Sequence, residues 1–130
     1  MQMKKQKIET DKAPKAIGPY SQAIKVGGLI FCSGQIGVNP QTGLLVEGGI
    51  KEETEQALKN LEEILKAGGS GLEDVVKVEV YLKDINDFNV VNKIYADTFI
   101  GYIKPARVTI EASKLPKEAL IEISCTVYKK

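Results

Sequence analysis

The clearest hydrophobic pattern lies in the middle of the chain. Between Ile50 and Ala67, apolar residues recur at intervals of three and four, which predicts an amphipathic helix. Glu52 and Glu53 suit the positive end of the helix dipole, and the Gly68–Gly69 pair predicts where the helix ends.

A second apolar stripe follows residues 84–87, where two aspartates can cap a helix. The residues that form the stripe are Phe88, Val91, Tyr95 and Phe99. Asn92 lies four residues after Phe88 and three before Tyr95, so on a helix it shares the apolar face. Such an amide either satisfies a buried backbone group or contacts a ligand, and the pattern leaves both open.

The first third of the chain is predicted to be rich in β-structure. Two short apolar runs, 22–26 and 29–33, flank Gly27–Gly28, which is typical of a β-hairpin. The turn residues 39–43 precede a short strand predicted at Leu44–Val46. We expect the polar residues 4–15 to form a loose arm or an edge strand.

Alternation of period two predicts three later strands, over 75–82, 107–112 and 120–128. In the first of them, Val76, Val78, Val80 and Leu82 fall on one face. We expect the apolar side chains of the last two strands to face the helices. The opposite face of the sheet would then carry Arg107, Thr109, Glu122, Ser124 and Thr126.

The predicted order of elements is β-β-β-α-β-α-β-β, which favours an α+β fold with two helices on one face of a sheet. The chain has 130 residues and shows no linker, repeat or low-complexity tract, so we predict a single domain over residues 1–130. Its polar sheet face is either solvated or buried against another subunit, where it would line clefts.

The composition then limits the chemistry. The chain has no histidine, which excludes Ser-His-Asp and Cys-His catalysis and zinc sites that use imidazole. Its 18 basic and 17 acidic residues give a net charge of +1, so charge does not favour binding to nucleic acid or to an anionic membrane. Cys32 and Cys125 are far apart in sequence and form no CxxC pair. No secretory signal or membrane-spanning run is recognisable, so we expect a cytoplasmic protein, with a disulfide as the minor alternative.

Arg107 and Glu122 are the leading candidates for a site, because both fall on the predicted polar face. An arginine can bind a carboxylate through two parallel hydrogen bonds, and a nearby carboxylate can hold or activate a water. The alternative is a cross-strand ion pair worth at most about 1 kcal/mol, which would form if 113–116 were a simple hairpin loop.

Two further segments are candidates. Gly34 follows Ser33 at the end of a predicted strand, where it either lets a ligand approach the backbone or marks an ordinary strand end or bulge. Tyr20, after Gly18–Pro19, is either a packed aromatic residue or a phenol that covers a cleft.

Four blocks of the sequence resemble the Rid/YjgF family. They are APKAIGPYSQA at 13–23, FCSGQI at 31–36, VYLKD with NDF and VN within 80–92, and KPAR with LPK and IEI within 104–123. The blocks run in order over nearly the whole chain. The resemblance implies a chorismate-mutase-like α+β fold with a mixed β-sheet, and a homotrimer with ligand clefts between subunits.

The resemblance also implies an activity, the hydrolysis of reactive 2-imino acids to 2-oxo acids and ammonia. Typical substrates are 2-iminobutanoate and 2-iminopropanoate, which arise from pyridoxal-phosphate dehydratases acting on threonine and serine. By the matching positions, Arg107 would bind the substrate carboxylate and Glu122 would position or activate the attacking water. No cofactor or metal is required, because a protonated imine is already electrophilic and needs mainly orientation.

The remaining roles follow from the same resemblance. Tyr20 and Ser33, with the Gly34 backbone, would complete the cleft from a neighbouring subunit, and Asn92 would support the site. Thr109 stands where close relatives often carry cysteine, so a hydroxyl replaces a thiol there. Two other functions stay open: a single-stranded RNA endonuclease or translation inhibitor, which the charge balance disfavours, and a non-catalytic binder of small carboxylates.

Overall fold

The computed structural model describes residues 4–130, so residues 1–3 of the predicted 1–130 domain lie outside the described residues. Its strands and helices are β1 (Gln6–Ile8), β2 (Ala23–Val26), β3 (Leu29–Gln35), α1 (Ile50–Ala67), β4 (Val75–Leu82), α2 (Phe88–Thr98), β5 (Ala106–Glu111) and β6 (Ile121–Tyr128). The α+β class and the order β-β-β-α-β-α-β-β are confirmed. The bounds of α1 are those predicted from its apolar spacing.

The six strands form one mixed sheet in the order β1-β2-β3-β6-β4-β5. β4 and β5 run parallel, joined through α2, and the other neighbouring pairs are antiparallel. The core lies between one face of this sheet and the two helices. As predicted, β6 buries every second residue in that core, namely Ile121, Ile123, Cys125 and Val127. None of the helices in residues 4–130 has the length and apolar composition that a membrane span requires.

The early strands differ from the prediction. Leu44–Val46 is not a strand; a single isolated bridge joins Leu45 to Val38, and the Val46 N–H donates to the Gly37 carbonyl at 2.9 Å. These bonds hold residues 44–46 against residues 37–39, on the other side of the turn, and do not join them to the sheet. The third early strand is β1, which pairs with the outer side of β2, so the N-terminal arm contains an edge strand.

The face of β4 also departs from the prediction at one residue. The β4–β6 register shifts between Val75 and Lys77, which marks a bulge. Val75 is therefore buried and Val76 is exposed, whereas Val78, Val80 and Leu82 face the core as expected.

The largest correction concerns β5, which lies beside β4 and not beside β6. Arg107 pairs with Val78 and Thr109 with Val80, and paired residues share a face of the sheet, so both lie on the helix side. Val108 and Ile110 are 43% and 47% exposed on the opposite face. The alternation in β5 is as predicted, but the predicted facing is wrong.

Candidate active site

A cleft of about 870 Å³ opens between the end of β3 and the start of β6. Its lining includes Tyr20, Ser33, Gly34 and Glu122, so four of the seven predicted site residues meet in one place. Apolar residues such as Ile17 and Pro14 form much of the remaining wall. A volume of this size is typical of small-molecule sites.

The Glu122 carboxyl group lies directly against the Gly34 backbone. A Cβ atom at position 34 would be 2.8 Å from Glu122 Cδ and would overlap Oε2, so any other residue there must displace the carboxyl group. The β3–β6 register shifts between Cys32 and Gln35, which makes this segment both a bulge and a point of close approach. Burial raises the pKa of Glu122 above its ordinary value.

Ser33 is held beside Tyr20 by two residues that lie between Tyr20 and β2, namely Ser21 and Gln22. The Ser33 Oγ donates to the Ser21 carbonyl at 2.6 Å, and the Ser33 N–H donates to the Gln22 carbonyl at 2.9 Å. The Tyr20 ring is exposed at the cleft, and its Oη accepts a hydrogen bond from the Ile17 N–H at 3.3 Å. Of the two alternatives for Tyr20, the structure shows the phenol that lines a cleft.

Buried polar side chains hold the cleft walls, and the sequence reasoning missed them. Gln22 Nε2 donates to the Pro14 carbonyl at 2.8 Å, which fixes the N-terminal arm beside the cleft. Asn60 Nδ2 donates to the carbonyls of Ile36 and Val38 at 3.1 and 3.0 Å. These bonds satisfy carbonyl groups of irregular chain that no strand partner reaches.

Glu53, which is also on α1, holds the wall of the cleft beside the start of β6. Its Oε1 accepts a hydrogen bond from the Leu120 N–H at 2.9 Å, two residues before Glu122. Glu53 and Asn60 are seven residues apart on α1 and therefore share a face. The sequence pattern could have identified Asn60 as a buried polar residue, because it falls inside the apolar stripe between Ala57 and Ile64.

Arg107, Thr109 and Asn92 form a second group, between β5 and α2. The Arg107 Cζ lies 4.6 Å from the centre of the Tyr95 ring and 5.5 Å from that of Phe88. Asn92 is half-buried on the same stripe of α2. The Thr109 Oγ1 is buried without a hydrogen-bond partner in the described residues. Arg107 forms no salt bridge within residues 4–130.

The two groups are too far apart to act on one small molecule within a chain. Arg107 pairs with Val78 on β4 and Glu122 pairs with Tyr81, three residues further along that strand. With β4 between them, their Cα atoms are roughly 14 Å apart, and their side chains leave opposite faces of the sheet. The prediction that they share one face is therefore wrong, and so is the cross-strand ion pair.

Cys32 and Cys125, far apart in sequence, are directly paired on β3 and β6 and are both buried free thiols. A hydrogen bond with Cys32, together with burial, raises the pKa of Cys125 well above its ordinary value. The Cys125 thiol is therefore protonated and unreactive as a nucleophile. Within residues 4–130, no group of three or more cysteine, aspartate or glutamate side chains is arranged to hold a metal ion.

A mixed sheet covered by two helices on one face, with a glycine–glutamate cleft between its two central strands, defines an α+β protein with a candidate site for a small ligand. Comparison with known proteins makes this class specific. The family model described as Endoribonuclease L-PSP matches residues 10–129. The chain belongs to this family, the Rid/YjgF family, as its sequence blocks predicted.

Individual relatives cover nearly the whole chain. A RutC family protein of Pyrococcus abyssi is 55% identical over 127 residues, which are 98% of this chain and 99% of that protein. The human protein named 2-iminobutanoate/2-iminopropanoate deaminase is 54% identical over 122 residues, which are 94% of this chain and 88% of that protein. This name gives the enzyme class that the sequence predicted, an imine deaminase.

A solved structure confirms the fold. The Rid protein family member YyfA from Yersinia pestis, described as a protein of unknown function, superposes with a TM-score of 0.95 at 48% identity. The match covers 97% of this chain and 100% of that one.

Proposed function

We propose that this protein hydrolyses 2-imino acids to 2-oxo acids and ammonia, with 2-iminobutanoate and 2-iminopropanoate as substrates. The observation that carries the proposal is the Glu122 carboxyl group held against Gly34 in a cleft of small-molecule size. The name of the human relative supports the same substrates. Such imines are released by pyridoxal-phosphate dehydratases, and we place the protein beside them in the cytoplasm.

The reaction needs a carboxylate-binding group and a placed water. Arg107 binds the substrate carboxylate through parallel N–H donors. The Glu122 carboxylate accepts a proton from a water as the water oxygen bonds to C2 of the protonated imine. Protonated Glu122 returns its proton to the nitrogen of the resulting carbinolamine. The C2–N bond then breaks and ammonia leaves, while the hydroxyl oxygen forms the carbonyl of the 2-oxo acid and releases its proton to water. Tyr20, Ser33 and the Gly34 backbone line the site on the Glu122 side; Asn92 and Thr109 flank Arg107.

The two groups meet if Arg107 of one chain reaches the Glu122 cleft of another copy, and we propose a homotrimer in which they do. The separation of roughly 14 Å within a chain supports this arrangement. So does the sheet face opposite the helices, where Phe31, Val108 and Ile110 are exposed although apolar. A partner subunit that covers this face would bury them.

The first test follows the decay of 2-iminobutanoate generated in place by a threonine dehydratase. We expect the wild-type protein to accelerate decay and Arg107→Ala to lower kcat/KM by about 10- to 100-fold, since hydrogen bonds to a charged group are lost. Lys93→Ala, which removes an exposed cation near Asn92 on α2, is the matched control and should leave the rate unchanged. A wild-type protein that gives no acceleration would refute the function.

A second test asks whether the site combines two chains. Arg107→Ala and Glu122→Gln chains, each expected to have reduced activity alone, are mixed in equal amounts, unfolded and refolded together. If each site takes its arginine and its glutamate from different chains, about one third of the sites in mixed trimers, and one quarter of all sites, are intact, and activity rises above that of either variant. Mixtures that are no more active than the separate variants, although the chains co-assemble, contradict the shared site.

Cleavage of single-stranded RNA is a second candidate, because the matching family model is described as an endoribonuclease. The net charge of +1 gives little attraction to a polyanion. RNA cleavage that co-purifies with the protein and is lost in Glu122→Gln would support this function. Binding of 2-oxo acids without imine turnover would instead support a non-catalytic carboxylate binder.

A further inference from the structure

The aromatic side chains of α2 surround the one arginine that the proposed reaction requires. Tyr95 and Phe88 are seven residues apart and lie on the same face of α2. The Arg107 Cζ is over both rings, nearer to Tyr95. At such distances the negative face of a ring attracts a guanidinium group.

The rings are also what holds Arg107 in place. Arg107 lies on the edge strand β5 and forms no salt bridge within the described residues. A free arginine side chain has many rotamers, and fixing one of them on substrate binding costs affinity. A carboxylate partner would fix the side chain but would also occupy its N–H donors. An aromatic face holds the charge and leaves those donors available for a substrate carboxylate.

Tyr95 is itself fixed by the core. It is 7% exposed, and its ring centre lies 4.7 Å from that of Phe99. Its Oη is buried and has no hydrogen-bond partner within residues 4–130. The ring is thus held by packing, and its contact with Arg107 is made by the ring and not by a hydrogen bond from the hydroxyl.

We propose that Tyr95 is a positioning residue, whose ring holds the Arg107 guanidinium in the orientation that binds the substrate carboxylate. Phe88 supports the same guanidinium from a greater distance. The inference rests on the proposed function in one respect, namely that the ligand of Arg107 is the carboxylate of a 2-imino or 2-oxo acid.

The test separates the ring from the hydroxyl. Tyr95→Phe keeps the ring and should leave the KM for 2-iminobutanoate within about twofold of wild type. Tyr95→Leu removes the ring and should raise that KM, and the Kd of 2-oxobutanoate, by about five- to tenfold, with kcat nearly unchanged. Phe88→Leu should raise both by about two- to threefold, and it serves as the ring-removal test should Tyr95→Leu not fold.

Leu65→Ala is the matched control, because it removes a buried core side chain of α1 that does not lie over Arg107. It should lower the melting temperature without changing KM. Equal increases in KM for Tyr95→Leu and Leu65→Ala would show a general packing effect and overturn the proposal. An increase in Tyr95→Phe as large as in Tyr95→Leu would assign the effect to the hydroxyl and also overturn it.

The binding measurement distinguishes this inference from the proposed function. If the wild-type protein binds 2-oxobutanoate but does not hydrolyse imines, the proposed deaminase function is wrong. The Kd values of 2-oxobutanoate for the Tyr95 variants still test the role of Tyr95 in that case. If the wild-type protein binds no 2-oxobutanoate, the carboxylate role of Arg107 fails and the positioning role fails with it.

Discussion

Gly34 and Glu122 show how one residue without a side chain places another residue's carboxyl group. The carboxyl group occupies the space where a Cβ atom of any other residue would stand. Burial of this carboxyl group disfavours its charged form, which raises the pKa of Glu122. The requirement for glycine at 34 is therefore one of space at the site.

Gly34→Ala should reduce turnover while the protein remains folded. The atoms that the new methyl group meets belong to the flexible end of the Glu122 side chain, so the carboxyl group moves and the backbone does not. A catalytic group displaced by about 1 Å costs up to about 100-fold in rate, and we expect kcat to fall 10- to 100-fold. Steady-state kinetics and a thermal melt measure the two effects, and an unchanged kcat would contradict the role of this contact.

The raised pKa of Glu122 predicts a pH dependence of activity. The carboxylate is the form that accepts a proton from water, so activity should fall as the pH drops through this raised pKa. The acid limb of the kcat profile should therefore lie at higher pH than the ordinary carboxyl value of 4.5. A profile whose acid limb lies at or below that value would contradict the assignment of Glu122.

The same shift predicts an effect on stability. A carboxyl group whose pKa is higher in the folded than in the unfolded protein stabilises the fold at low pH, and this contribution is lost as the pH rises through the folded pKa. Glu122→Gln should therefore melt at a higher temperature than wild type at neutral pH. In acid, where Glu122 is itself neutral, the two melting temperatures should converge. Melting curves at both pH values provide the comparison.

The elements were predictable wherever a periodic pattern was complete, whereas the site was predictable only in part: the residues of the Glu122 cleft were named from the sequence, but the separation of Arg107 from them was not foreseen. α1 has the predicted bounds because its apolar stripe continues over five turns between a glycine pair at each end. β5 shows the predicted alternation, but alternation does not say which strand is its neighbour. Its position beside β4 placed Arg107 on the helix side, and no local signal in residues 106–111 could have shown this.

At the scale of elements, α1 is expected to fix the cleft wall through Asn60. Asn60→Ala would leave the buried carbonyl group of Val38 without a donor, whereas the Ile36 carbonyl keeps the Val38 N–H, so we expect a cost of about 1–3 kcal/mol in the free energy of unfolding. Lys59→Ala, on the exposed side of the helix, should change that free energy by less than about 0.5 kcal/mol. Urea unfolding measures both. Equal effects in the two variants would show that the amide bonds carry no stability.

The whole molecule presents a sheet face that its own helices do not cover, on which Phe31, Val108 and Ile110 are exposed. Ile110→Lys places a charge on this face and should reduce the mass in solution from trimer to monomer, with loss of activity, because desolvating an unpaired charge opposes association. Val90→Lys, at a similar exposure of 42% on α2, should leave the mass unchanged. Light scattering gives the mass, and an unchanged mass in Ile110→Lys would contradict the interface.

In the proposed homotrimer, the wide separation of Arg107 from Glu122 determines how copies of the chain would associate. A contact that joins Arg107 of one copy to Glu122 of the next is head-to-tail. In a pair of chains, Glu122 of the first copy and Arg107 of the second copy would then have no partner. A pair of chains would thus leave one half of a site open at each end. In a closed ring, the Arg107 group of every chain meets the Glu122 group of a neighbouring chain. The ring would therefore contain one complete site per chain. Activity per chain should therefore fall on dilution, as rings open.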